Sequence, residues 1–247
     1  MKKLLAILIL IASISANAQK KNNPSKVKEP SSKIKPDYTK INLSQRASDH
    51  LMFQFGVANW SNADAINLKS FNRTFNTYFL FDFPFKSNPK FSAALGPGIG
   101  TDNVYFEKTA IDLNAPTGGV TFTADNVTKY KKIKLGTGYL EAPIEFRYST
   151  NPENMNKGWK FAVGAKIGLL VDATVKTEIN ASSVNEGGYV MKIKDKRFFN
   201  TTRVAGIARA GMGNLSVFAS YTLTGFFKEG FGPTVKPFSI GLTLSGL

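Results

Sequence analysis

From Leu51 onward, apolar and polar side chains alternate with a period of two. Leu51, Phe53, Phe55 and Val57 alternate with Met52, Gln54, Gly56 and Ala58, and Phe75, Thr77, Phe79, Phe81 and Phe83 alternate with Thr74, Asn76, Tyr78, Leu80 and Asp82. A third run sets Phe91, Ala93, Leu95, Pro97 and Ile99 against Ser92, Ala94, Gly96, Gly98 and Gly100. A fourth, YLEAPIEFRY at 139–148, carries Leu140, Ala142, Ile144, Phe146 and Tyr148 on one side and Glu141, Glu145 and Arg147 on the other. Four more follow, around 161–169, 203–210, 215–223 and 238–245. Successive strand residues point to opposite faces, so this periodicity predicts eight β-strands.

The links between the strands alternate in length. Those near Pro84–Lys90, Thr150–Lys157 and Gly211–Asn214 are short, whereas Thr101–Gly138 and Asp172–Thr202 are expected to be long loops. Short turns at one rim and long loops at the other are the signature of an outer-membrane barrel. Aromatic residues gather at both strand ends: Phe83, Phe85, Phe91, Phe146, Tyr148, Trp159 and Phe161 beside short turns, and Trp60, Phe71, Phe198, Phe199, Phe226 and Phe227 at the opposite ends. They are expected to form two interfacial girdles.

The fold class predicted is therefore all-β: an eight-stranded antiparallel up-and-down transmembrane β-barrel with short periplasmic turns and long extracellular loops. In lipid every backbone group needs a partner, so the sheet must close, and its ionic face then lines the inside. Eight strands leave room only for side chains. Glu141, Glu145, Arg147, Lys166, Arg203 and Arg209 are expected to fill that lumen as a mutually neutralising charge network, since lone buried ions are costly. A turn near Asn154 and Met155 is expected to place Glu145 opposite Lys166, and the glycines at 96, 98 and 100 to make room for larger neighbours.

The N-terminal segment changes the picture of where this barrel sits. Met1-Lys2-Lys3, the apolar run Leu4–Ser15 and Ala16-Asn17-Ala18 read as a signal peptide over 1–18, cleaved before Gln19. The run is too short for a helical span, which needs roughly 20 apolar residues. Residues 19–49 scatter lysines among Asn, Ser, Pro24, Pro30 and Pro36 without a core-forming run, and read as a flexible basic periplasmic leader. The barrel is assigned to 50–247, in the outer membrane.

The chain's formal net charge is +15. For an exported protein the acidic neighbour is phosphate-rich lipid, not nucleic acid. KYKKIK at 129–134 and MKIKDKR at 191–197 are basic and partly alternating, so they extend strands beyond the membrane. Lys129, Lys131, Lys132, Lys134, Lys192, Lys194, Lys196 and Arg197 are candidate contacts to lipopolysaccharide phosphates; a solvated lysine face is the competing reading.

The strand motif YLEAPIEFRY resembles the Tyr-Leu-Glu-x-Pro strand of Bacteroidota outer-membrane β-barrel proteins of the PorT-like family. ALGPGIG at 94–100, FAVGAKIGLL at 161–170 and SIGLTLSGL at 239–247 are similar too, so the resemblance covers about residues 50–247. It implies an eight-stranded outer-membrane barrel, generally without an assigned reaction; one member type serves protein secretion and gliding. Many such barrels end in an aromatic residue, and this chain ends in Leu247.

Chemistry is sparse. The chain has no cysteine and one histidine, His50, expected at the periplasmic rim. No catalytic site, metal site or cofactor is expected. GPGIG at 96–100 lies inside a strand with no helix after it and so lacks the context of a phosphate loop. Glu141 and Glu145 as a carboxylate pair have basic residues beside them, which favours packing over catalysis. The expectation is a non-enzymatic envelope protein with a structural or interaction role and a possible envelope partner. The alternatives are a secretion or gliding component and, against the charged lumen, a small lipid-modifying enzyme.

Overall fold

The structure, a computed structural model, describes residues 50–63, 66–113, 118–124, 130–179 and 188–246. The signal peptide, the leader, Lys129 and Leu247 lie outside the described residues.

Among the described residues thirteen strands form in chain order: β1 (Leu51–Ser61), β2 (Asn72–Phe79), β3 (Phe81–Phe85), β4 (Asn88–Leu95), β5 (Gly98–Phe106), β6 (Thr109–Asp112), β7 (Thr121–Ala124), β8 (Tyr130–Ser149), β9 (Trp159–Ile179), β10 (Val190–Lys194), β11 (Thr202–Met212), β12 (Leu215–Thr222) and β13 (Lys236–Ser245). All pair antiparallel. The ring runs β1–β2–β5–β8–β9–β11–β12–β13, and β13 returns to β1 with Phe53 opposite Leu244 and Val57 opposite Ile240. β3 continues the course of β2, and β4 leads into β5, so the ring is an eight-stranded closed barrel.

The third alternating run is broken at Gly96-Pro97, between β4 and β5. Pro97 has no N–H for the ladder, and its carbonyl accepts from Phe79 N at 2.9 Å. A side chain at Gly96 would lie 1.9 Å from the Phe79 carbonyl oxygen, so the backbones approach more closely than any other residue permits.

Outside, the barrel carries an apolar band. Phe55, Phe75, Phe79, Leu140, Ile144, Val163, Ile167, Val217 and Ile240 are each about half exposed. So large an apolar surface is out of place against water and in place against acyl chains. At about 3.4 Å per residue and a tilt near 40°, β8 with its 20 residues rises about 50 Å, roughly twice the ~25 Å band. β8 and β9 therefore stand well clear of it.

That extension narrows the expected long loops without removing them, and the two basic segments do continue strands as expected. Much of Thr101–Gly138 and Asp172–Thr202 is strand: β5 reaches Phe106, β8 begins at Tyr130, β9 runs to Ile179, and β10 pairs with its upper part, Ile193 opposite Val175. The register of β9 slips between its partners Gly138 and Tyr139, which oppose Asp172 and Leu170, leaving Val171 as the extra residue of a β-bulge. Below the bulge the even-numbered residues of β9 point inward; above it Ala173, Val175, Thr177 and Ile179 do.

The second aromatic girdle is also corrected. Phe71 is exposed, but Trp60, Phe198, Phe199, Phe226 and Phe227 are buried. They form an aromatic core inside the long-loop end, with Trp60 and Phe226 centroids 4.9 Å apart and Phe226 and Phe227 also 4.9 Å apart. Walls that rise above the lipid enclose a space that apolar side chains fill favourably, and Phe106, Ile133, Leu135 and Val235 pack there too. At the short-turn end Phe83, Phe85, Phe146, Trp159 and Phe161 do face outward, with Trp159 stacked on Phe161 at 6.3 Å.

Candidate functional site: charged lumen and outer basic face

Below the aromatic core the lumen is ionic, in two storeys. In the storey nearer the short turns, Arg147 Nε donates to Glu145 Oε2 at 2.7 Å, and its NH1 lies 3.5 Å from Asp82. Arg209 reaches the same Glu145 oxygen at 3.2 Å and donates to Ser245 Oγ at 3.3 Å. In the storey above, Glu141 accepts from Tyr78 OH at 2.5 Å, from Lys166 Nζ at 3.1 Å and from Arg203. Arg203 also pairs with Asp102 at 2.5 Å and lies 3.7 Å over the Tyr139 ring.

Glycines shape the upper storey. A Cβ at Gly98 would lie 2.2 Å from the Tyr78 ring, and one at Gly100 would lie 2.7 Å from Glu141 Oε2. The bare backbone of β5 thus leaves the volume that Tyr78 and Glu141 occupy.

The expected Glu145–Lys166 pair does not form. Glu145 lies opposite Gly164, and Lys166 opposite Pro143. The turn centre sits between Asn154 and Met155, which pairs Glu145 with the residue two before Lys166. Both side chains are still inside, where Lys166 belongs to Glu141 and Glu145 to Arg147 and Arg209. Tyr78, Asp82 and Asp102 complete the two storeys; Tyr78 and Asp82 sit on the polar face of an alternating run, whereas Asp102 falls in the stretch read as a long loop, and only knowledge of which strands adjoin would have assigned them.

This arrangement sets carboxylate against cation within the wall. Both inward glutamates are saturated by cations, and the voids lined by these layers measure about 20 and 10 Å³, each room for about one water. Among the described residues no group of three potential metal ligands occurs. His50 Nδ1 lies 2.8 Å from the Leu80 carbonyl at the rim, tying the start of β1 to the link between β2 and β3.

A family model for the outer membrane protein beta-barrel domain matches residues 20–233. The chain belongs to this family. No curated protein matches it. Among solved structures, the attachment invasion locus protein Ail of Yersinia pestis is similar at 13% identity, covering 79% of this chain and 94% of that one, with a TM-score of 0.37. The same protein in complex with the heparin analogue sucrose octasulfate is similar at 14% identity over the same shares, with a TM-score of 0.36.

In this outer-membrane barrel the short turns lie at the periplasmic rim and the aromatic core at the outer end. The basic residues above the band sort by strand phase. Lys132 and Lys134 point outward from β8, Lys132 over the Tyr105 ring at 5.2 Å and Lys134 donating to Asn103 Oδ1 at 3.0 Å; Lys131 is exposed at the top of the strand. Lys192 and Lys194 are exposed on β10, and Lys194 pairs with Asp172 at 3.1 Å. Lys196 and Arg197 sit apart, after β10. Sequence periodicity missed Lys176, which joins the outward face and pairs with Glu178 at 3.1 Å.

Arg197 is committed within its own turn, donating to Asp195 at 2.7 Å while lying 5.3 Å over the Phe198 ring. The bond from Arg197 holds the Asp195 carboxyl below the usual carboxylate range. A depressed acid pKa contributes stability above its unfolded value and loses it as pH falls through the folded one. The turn at 195–198 is therefore expected to stay ordered from pH 8 to 5 and to loosen only below about pH 4. A carboxyl NMR titration of Asp195, compared with Arg197→Gln, checks this: equal midpoints in the two proteins would refute it.

Proposed function

We propose that this outer-membrane barrel is a non-enzymatic, non-conducting envelope protein with a structural or interaction role, working through its outer end. The observation that carries this reading is the double closure of the lumen, by the Glu141 and Glu145 storeys and by the aromatic core above them. A side-chain-filled lumen suits neither a pore nor a lipid-modifying enzyme, whose acyl substrate would need an apolar chamber within the barrel. Export by a signal peptide at 1–18 and a basic periplasmic leader over 19–49 complete the proposal.

Planar-bilayer recording tests it. Inserted protein is expected to give no single-channel steps above baseline at physiological salt, and regular conductance steps would overturn the reading. The resemblance of YLEAPIEFRY to PorT-like barrels supports a narrower second reading, a component of a secretion or gliding assembly. Extraction from native membranes distinguishes the two: a stoichiometric co-purifying complex favours the assembly, and isolated barrel opposes it.

A further inference from the structure

Directly above the apolar band, β8, β9 and β10 present a flat outward face that the closed lumen does not use. On it lies an open groove of about 730 Å³ bordered by Lys134, Lys176, Lys192 and Lys194, with Gly136 and Gly138 at its back and Ile99 and Val171 also along it. We propose that this groove seats a phosphorylated lipid of the outer leaflet, of the lipopolysaccharide class. The lysines take the phosphate, and an acyl chain runs down over Ile99 and Val171. The proposal rests on the reading of the chain as an outer-membrane barrel.

Position is the first argument. The bulge at Val171 is where the outward side of β9 changes from Phe161, Val163, Ala165, Ile167 and Leu169 to Asp172, Thr174, Lys176 and Glu178. On β8 the change falls at the same height, from Leu140 and Ile144 below to Lys132, Lys134, Gly136 and Gly138 above. The groove straddles that boundary, where the acyl chains of a lipid end and its head group begins.

Charge is the second. Among the described residues of β8, β9 and β10, Lys132, Lys134, Lys176, Lys192 and Lys194 share the outward face with two carboxylates, Asp172 and Glu178. The carboxylates hold Lys194 and Lys176, and among the described residues Lys134 has only the neutral amide oxygen of Asn103. Lys192 stands directly opposite Lys176 in the β9–β10 register, a like-charge pair that disfavours the pairing, and it has no hydrogen-bond or ion-pair partner among the described residues. An anion lodged there relieves the repulsion.

Shape selects the source of that anion. Gly136 and Gly138 carry no side chain, so the lysines border bare backbone on which a head group can lie flat. The apolar side chains along the groove continue into the lipid-facing band, so the surface fits an amphiphile better than a soluble polyanion. A phosphate on an acylated sugar meets both halves at once, with charge-assisted contacts above and chain packing below.

The test is lipid binding by the full-length barrel in an uncharged maltoside detergent, read by native mass spectrometry. Diphosphorylated lipid A is expected to bind at least tenfold more tightly than its dephosphorylated form. The Lys134→Glu/Lys192→Glu variant is expected to lose at least tenfold, and Lys86→Glu/Lys90→Glu at the periplasmic turn to lose nothing. Lys176→Gln/Lys192→Gln supplies the gentler variant if the reversal does not fold. Equal binding of both lipid forms, equal binding by a folded groove variant, or displacement of the lipid by inorganic pyrophosphate at equal concentration would each overturn the proposal. Far-UV circular dichroism separates the two levels: a folded detergent-held barrel without lipid preference defeats the groove alone, whereas a chain that forms no barrel defeats the parent reading.

Discussion

Glu141→Ala is expected to destabilise the barrel by about 3–5 kcal/mol, the usual cost of stripping one partner from a buried ion cluster. Glu141 is 2% exposed and is the acceptor on which Tyr78, Lys166 and Arg203 converge. Without it Lys166 keeps only the Tyr78 hydroxyl, at 3.3 Å, while Arg203 retains Asp102. The loss therefore falls mainly on one uncompensated ammonium inside a closed wall, where salt screens little. Removing that ammonium as well reverses most of the damage: Glu141→Leu/Lys166→Met is expected to recover more than half of the lost stability, because deleting both charges is often neutral where deleting one is not. Urea unfolding in detergent, followed by far-UV circular dichroism, gives both numbers. A single-variant cost below about 1 kcal/mol, the scale of an exposed pair, would mean that water reaches the storey and the lumen is not closed.

The strand phase of this storey is legible in the residues alone. YLEAPIEFRY alternates without interruption, so the inward course of Glu141, Glu145 and Arg147 follows from the pleat. Pairing across strands is harder to read, because a partner depends on the turn centre to within half a residue. Glu145 faces Gly164 and not Lys166 for that reason alone.

Phase is readable only while the strand is regular. Lys166 and Lys176 are ten residues apart and would share one face of an unbroken strand, yet Lys166 lies in the lumen and Lys176 outside. One extra residue at Val171 reverses every position after it. No residue type marks the reversal: Val171 and Asp172 look like ordinary strand, and only the slip against Gly138 and Tyr139 exposes it. The buried aromatics escape prediction for a related reason. Interfacial and core phenylalanines look alike in sequence, and what distinguishes Phe198, Phe199, Phe226 and Phe227 is that tall walls on β8 and β9 enclose them.

Phe199→Ala is expected to open that outer end while sparing the barrel. Phe199 is fully buried, with ring centroids 5.4 Å from Phe226 and 5.2 Å from Phe227. The next residue, Asn200, fixes the opposing segment by donating to the carbonyls of Gly225 at 2.6 Å and Phe227 at 2.9 Å. Truncating a buried phenylalanine costs about 3–5 kcal/mol, and here the cost falls on structure that lipid does not hold. The membrane belt has its own support, in the continuous ladder from β11 through β12 and β13 to β1 and in the ion storeys beneath. Local opening is then cheaper than global unfolding. Limited proteolysis of the variant in vesicles is expected to cut within 195–201 or 223–235 at least tenfold faster than in the parent protein, while the membrane-embedded fragments stay protected. Bilayer conductance is expected to stay at baseline, because the Glu141 storey closes the lumen by itself. If the aromatic core and the belt instead melt together in one transition, the two form a single cooperative unit; if the variant conducts, the aromatic core and not the ion storey is the seal.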